Sequence, residues 1–201
     1  REVNLADPGT GVVQNILNTA NATIRGVEAE SRMRVSERLI VTANIGVIDD
    51  RYDELLFDIS GDGFGNITDA DFALRIPRVP AVTWGMGLIH ELPLGSSEIL
   101  TRVNYQYRDE FAFTDDNLGW IQDISNLEAN ITWMTPIEGF SLSLYGRNLF
   151  DQVQAGGDTQ TPFAGPLSTG RRQPFAFFPA GGTFSPLMRG RNVGLEAMFE
   201  F

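Results

Sequence analysis

Cysteine is absent from the 201 residues, and histidine occurs once, at His90. The first absence excludes a disulfide framework and thiolate chemistry, and the second excludes a histidine-rich metal site. No stretch approaches the ~18 consecutive apolar residues of a transmembrane helix. Positive charge is also short. A formal net charge of −11 leaves no cationic footprint for nucleic acid. The opening residues REVNL carry no methionine, basic region or apolar core of a secretory leader. An exported protein needs such a signal at some stage, so it has been cleaved or the chain belongs to something longer. Helical periodicity is nearly missing too. VVQNILNTA (12–20) is the one candidate, and its shortness and polarity place it in a loop.

What remains is strand. Hydrophobic residues make up 42% of the chain and mean hydropathy is −0.10. These values exclude a disordered chain, yet they fit membrane strands as well as a soluble domain, because alternation keeps mean hydropathy low. Period-two alternation predicts seven strands at about 22–35, 39–49, 80–92, 97–112, 124–134, 140–150 and 189–201, and residues 1–4 read as the tail of an eighth. The final GLEAMFEF sets Leu195, Ala197, Phe199 and Phe201 against Gly194, Glu196, Met198 and Glu200. Connections alternate in length. SER (36–38), PLGS (93–96) and PIEG (136–139) are tight, whereas 5–21, 50–79, 113–123 and 151–188 are long. In an up-and-down meander all the short turns then fall on one edge and all the long loops on the other, as in transmembrane barrels. The expected fold is all-β: an antiparallel meander of about seven to eight strands, forming a segment of a transmembrane β-barrel. No linker divides the chain into two domains.

Alternation alone leaves the solvent open. The polar side carries Glu28, Arg32, Arg34, Arg102, Arg108, Glu128, Arg147 and Glu196. It suits a soluble exterior or a hydrated lumen equally. Aromatics near strand ends (Tyr105, Tyr107, Trp133, Phe199 and Phe201) favour membrane girdles.

Several side-chain groups are candidates for chemistry. DISGDGFGNITD (58–69) has calcium-loop spacing, with Asp58, Ser60, Asp62, Asn66 and Asp69 as oxygen donors and Gly63 at the sharp turn. Against this stand Gly65 at the usual apolar position, Asp69 in place of glutamate, and the lack of flanking helices; the competing reading is a solvated acidic loop. Segment 49–71 holds eight carboxylates against Arg51, which suits an acidic, soluble exterior. The 151–188 loop combines Arg171 and Arg172 with Phe163, Phe175, Phe177, Phe178 and Phe184. Arg171, Arg172, Phe175, Phe177 and Phe178 are the candidate ligand contacts, with the arginines attracting carboxylate or catecholate oxygens. The lumen charges predict cross-strand ladders, for example between Glu28 and a neighbouring arginine. His90 reads as an interfacial residue. Asp53–Glu54 and Asp109–Glu110 are sequence neighbours, so on a strand they face opposite ways and form no acid/base pair. No catalytic set assembles, and no enzyme is expected.

ATIRGVEAE (22–30), DDRYDE (49–54), IPRVPAVTWGMGLIHELPL (76–94), LTRVNYQYRDEF (100–111) and ISNLEANITWM (124–134) resemble, in this order, the closing part of a TonB-dependent outer-membrane receptor. FSLSLYGRNLFD (140–151) resembles that family's penultimate strand with its G-x-N-L-x-D ending, and GLEAMFEF its last strand. The resemblance spans about residues 21–201. It implies a section of a 22-stranded barrel in the bacterial outer membrane, whose plug domain and TonB motif lie in N-terminal parts absent from these residues. It implies uptake of a bulky scarce ligand, such as a ferric siderophore or similar metal chelate, driven by the TonB complex. It makes Phe199 and Phe201 part of the signal read by the barrel-assembly machinery, and makes membrane lipid the partner of the apolar face. The resemblance implies no cofactor, and the one expected on spacing is calcium at 58–69. The alternative is a small autonomous β-barrel or a soluble β-sandwich binding calcium or carbohydrate.

Overall fold

Alternating β-branched and aromatic residues at two-residue spacing have one low-energy use, a pleated strand with a greasy side and a wet side. The computed structural model describes residues 2–7, 11–16, 18, 20–60, 65–117, 119–153, 155, 159–160, 183–184 and 186–201. Along the chain run β1 (Glu2–Asp7), β2 (Gly11–Ile16), β3 (Ala20–Ser36), β4 (Leu39–Leu55), a one-turn helix α1 (Asp69–Phe72), β5 (Val82–Leu94), β6 (Ser97–Arg108), β7 (Phe111–Ala112), β8 (Trp120–Ile121), β9 (Ile124–Met134), β10 (Phe140–Arg147), β11 (Thr159–Gln160), β12 (Thr183–Phe184) and β13 (Asn192–Phe199). Seven strands form one antiparallel sheet in the order β13-β10-β9-β6-β5-β4-β3. No helix of the described residues is long and apolar enough to cross a membrane, which says nothing of strands.

The register aligns the apolar positions of all seven strands on one side. Leu39 sits opposite His90, His90 opposite Thr101, Thr101 opposite Ile131, Ile131 opposite Leu144 and Leu144 opposite Leu195. The rows Val41–Leu88–Val103–Ala129 and Ala43–Met86–Tyr105–Leu127 run parallel to it. Nothing in the described chain covers this side. Val27, Met33, Ile45, Met86, Ile131, Leu144 and Leu195 are all exposed, Leu195 by 82%. The buried apolar residues, Leu55, Ile59, Ala112 and Ile121, lie at the long-loop end instead. A soluble sandwich would bury the same stripe under a second layer.

Aromatic rows bound the stripe. Trp84 stacks with Tyr105 and Tyr107 toward the long loops, at centroid distances of 4.7 and 6.0 Å. Trp133 and the Phe140–Phe199 pair, 6.5 Å apart, mark the short-turn end. On β6 the two rows are met at Ile99 and Tyr107. At ~3.3 Å per residue that separation is ~26 Å along the strand, or roughly 20 Å of height at a ~40° tilt. Above the Val27–Val47 row the same side turns charged, with Arg25 opposite Asp49.

Several boundaries differ from the sequence reading. Of the expected eighth strand at 1–4, the described residues 2–4 do not extend the main sheet, and of the expected loop at 12–20, residues 12–16 are strand: β1 and β2 pair as a separate hairpin. The β-branched pair Val12–Val13 suits that strand. β4 continues to Leu55, its ladder with β3 shifting register between Asn21 and Ala22. The expected strand 97–112 splits into β6 and β7. β10 stops at Arg147, because Asn148 takes a positive φ of 48°. Asn148 then clamps Gln152 in both directions, Nδ2 donating to its carbonyl at 2.9 Å and Oδ1 accepting from its N–H at 3.0 Å. Leu149 folds back over Gly146, where any Cβ would collide with it. Gly139, at φ 73°, closes the tight turn into β10, and its carbonyl accepts from Glu200 N at 2.8 Å.

If the uncovered stripe meets hydrocarbon, Leu195→Arg or Ile131→Arg destabilises the membrane-inserted protein by about 2–4 kcal/mol. Glu196→Gln, on the opposite side, leaves stability within about 0.5 kcal/mol. Urea unfolding of the whole protein in lipid vesicles reads both.

Candidate functional site at the long-loop end

Two long connections, 56–81 and 109–123, are fastened to each other and to the polar side of the sheet. The anchor is Asp50, whose side chain is 1% exposed. Its Oδ1 accepts from Arg75 Nη2 at 2.7 Å and Nε at 3.0 Å, and its Oδ2 from the Ile76 N–H at 2.7 Å. The chain leaving β4 is thereby folded back over the sheet's polar side. Arg75 is clamped from the other loop as well. Asn117 Oδ1 accepts its N–H at 2.7 Å, and Asn117 Nδ2 donates to its carbonyl at 2.9 Å. Asn117 holds a φ of 55°, in the left-handed region that asparagine tolerates better than most residues.

Within 56–81, Asp71 is the pivot. It is fully buried at position N3 of α1, in a capping box with Thr68. Its Oδ1 accepts from the N–H groups of Ile59 and Ser60, both at 2.7 Å, and its Oδ2 from the Thr68 N–H at 2.8 Å. Burial alone would raise its pKa, but the hydrogen bonds from Ser60, Thr68 and Ile59 outweigh that and hold it below the ordinary carboxylate value. Leu55 and Ile59, with Ala112 and Ile121 from the second loop, supply the apolar residues buried at this end.

The expected ligand contacts Arg171, Arg172, Phe175, Phe177 and Phe178 lie outside the described residues, as do Asp62 and Gly63 of the calcium-spaced loop. The other members of that loop do local work. Asp58 Oδ2 accepts from the Gly65 N–H at 2.8 Å and its Oδ1 from Ser60 Oγ at 3.4 Å, while Asp69 opens α1 on the exposed side. The central carboxylate is Asp71, two residues beyond the position that spacing singled out. No group of three or more metal-ligating side chains converges among the described residues. Phe199 lies on the apolar side opposite Phe140, and Phe201 is fully exposed beyond the end of β13.

The predicted charge ladders are not formed among the described residues. Register puts Glu28 opposite Gly46, Arg102 opposite Asn130, Glu128 opposite Asn104 and Glu196 opposite Ser143. Neutral hydrogen bonds fill the gaps instead, such as Thr132 with Ser143 at 2.9 Å. Arg102, Asn104, Glu128, Tyr145 and Arg147 border a groove of about 370 Å³ that Ile40, Leu88 and Ile89 also line. Sequence reasoning missed Asp50, Arg75, Asn117 and Asp71. The one available signal was Arg75, the first cation after eight carboxylates and Arg51.

No family model and no curated protein matches the chain. Solved structures do. The ferric yersiniabactin uptake receptor FyuA from Yersinia pestis superposes with a TM-score of 0.67 at 18% identity, over 92% of this chain and 24% of that one. The siderophore receptor PiuA from Acinetobacter baumannii gives 0.61 at 14%, over 98% and 23%. BauA, the ferric preacinetobactin receptor of the same organism, gives 0.60 at 11%, over 100% and 26%. The chain thus spans about a quarter of the length of the receptors it matches. The resemblance to TonB-dependent receptors read from the motifs holds at the level of fold: the sheet has the architecture of a section of such a barrel.

Arg75→Met leaves the Asp50 carboxylate buried without its counter-charge. The rim should loosen by about 1–3 kcal/mol, below the full value for a buried pair because Arg75 keeps solvent contact. Hydrogen exchange at Ile76 and Asn117 should speed up while β9 and β10 stay protected. Because Asp71 is depressed, its stabilisation is present above the ordinary carboxylate range and is lost as pH falls through its lowered value. Protection at Ile59 and Ser60 should therefore drop on acidification below about pH 4. In Asp71→Asn it should be low already at neutral pH, with no acid transition.

Proposed function

We propose that the chain forms the C-terminal section of the barrel of a TonB-dependent receptor in the bacterial outer membrane, taking up a ferric siderophore or a similar iron complex. The observation that carries this reading is the uncovered apolar stripe, bounded by aromatic rows and backed by a charged concave side. Hydrocarbon suits that stripe, and a hydrated lumen suits the side of Arg102, Glu128 and Arg147. The transport receptors that share the fold support a carrier rather than an enzyme.

In this reading the tight turns at 37–38, 95–96 and 135–139 face the periplasm, and the long loops face the exterior. Ligand is captured among those loops. A plug domain and TonB-contacting segment, supplied by other parts of the receptor, release it inward. β3 and β13 each pair on one side only within the main sheet. Lipid offers no partner for a free strand edge, so further barrel strands close both. Phe199 and Phe201 present the terminal aromatics to the barrel-assembly machinery.

The test is uptake of radiolabelled iron supplied as a panel of ferric chelates to cells with the gene disrupted. At least one chelate should lose energy-dependent uptake and regain it on complementation. Uptake of every chelate at the parental rate, or recovery of the protein from the soluble fraction, rules the reading out.

A further inference from the structure

Tyr145 lies across Gly194 on the polar side of the sheet. The two residues are directly opposite each other on β10 and β13. A Cβ added at Gly194 would meet the Tyr145 hydroxyl and ring carbons. Gly194 is the one glycine of β13, and the one residue of that strand that is not exposed. The smallest side chain position is thus the best covered, and what covers it is the ring. The Arg147 guanidinium carbon, two residues along β10, stands 6.0 Å from the centroid of the same ring.

The contact bears on register. Tight turns join β3 to β4, β5 to β6 and β9 to β10, and such turns set the register of the strands they connect. β10 and β13 are joined by residues 148–191, and a connection of that length leaves register to contacts between the strands. Sidedness excludes a slip of one residue, because it would turn every apolar side chain of β13 to the polar side. Sidedness does not exclude a slip of two. In one direction Leu142 would face Leu195, in the other Leu144 would face Ala197, and apolar would still meet apolar. The contacts at the two ends of the pair discriminate weakly, because they read backbone. Asp151 Oδ1 accepts from the Arg191 N–H at 2.9 Å, and the Glu200 N–H donates to Gly139 O at 2.8 Å. After a slip of two, Tyr145 would face Asn192 or Glu196, whose Cβ occupies the place where the ring lies.

We infer that Tyr145 and Gly194 form a register lock for the last strand of the sheet. The flat ring fits only over a residue without a Cβ, and β13 offers one such position. A slip of two residues would displace β13 by ~7 Å along β10. It would break the Phe140–Phe199 ring pair and move the outer edge of β13 out of line with any strand that pairs there. The lock goes beyond the transport reading and holds for any cargo.

A chain without cysteine suits disulfide trapping. The native pair is Leu144→Cys/Leu195→Cys; the slipped pairs are Leu142→Cys/Leu195→Cys and Leu144→Cys/Ala197→Cys. Each is introduced into the whole protein, refolded into lipid vesicles and oxidised. The native pair should cross-link efficiently and the slipped pairs only at background. Tyr145→Leu and Gly194→Ala should each raise the slipped cross-links about fivefold. Tyr145→Phe, which keeps the ring, should leave them at background. Gly194→Ala/Glu196→Gly moves the socket by two residues and should shift trapping toward Leu144→Cys/Ala197→Cys. Alanine suits a strand better than glycine, so without a lock Gly194→Ala should tighten the native pairing. That variant therefore decides by its sign even where Tyr145→Leu fails to insert. Native trapping undiminished in Gly194→Ala, or as much slipping in Tyr145→Phe as in Tyr145→Leu, overturns the lock.

Discussion

A pleated strand with one apolar side must find that side a partner, and the described residues provide none. Seven strands in register make the stripe continuous, so its cost cannot be spread over scattered contacts. The partner has to be another layer or hydrocarbon. Aromatic rows roughly 20 Å apart in height match the scale of a bilayer's apolar band better than that of a second sheet. The backbone obeys the same constraint. Every interior strand hydrogen-bonds on both sides, and the single register shift of the β3–β4 ladder at its outer end falls beyond the stripe, beside the Arg25–Asp49 pair.

Where the stripe ends, ordinary water-soluble folding resumes on a small scale. Among the described residues, the loops at 56–81 and 109–123 and the end of β4 bury four apolar side chains, too few for an independent domain. Polar anchors supply what is missing. Asp50 joins the sheet to Arg75, Asn117 joins Arg75 to the second loop, and Asp71 ties Ile59, Ser60 and Thr68 into one turn. Each carboxylate is saturated by donors from more than one position in sequence. The rim is consequently held by fixed polar contacts rather than by a core.

The meander and its sidedness were legible in the sequence. Alternation at Val82, Trp84, Met86 and Leu88 fixes a strand and its apolar side without reference to any neighbour. The contrast of short and long connections fixed which edge carries the loops. Strand ends were less legible. Alternation does not register the stop of β10 at Asn148, which is set by a positive φ and by hydrogen bonds to Gln152, and β7 separates from β6 through contacts with β8. The charge ladders failed for a related reason: opposite signs on adjacent strands do not pair unless the register brings them level, and on the lumen side it sets Glu28, Arg102 and Glu128 against neutral residues.

By itself the sequence determined that the chain is a set of long two-faced strands, because a period of two is a local property of side-chain chemistry. It also fixed the abundance of acid in the loops. Only the tertiary structure decided which carboxylates are structural, that Asp50 meets Arg75 across the loop, and that the apolar stripe stays uncovered by the described residues. These are matters of register and of chain return across tens of residues, and no short stretch of sequence encodes the distance between two of its own parts.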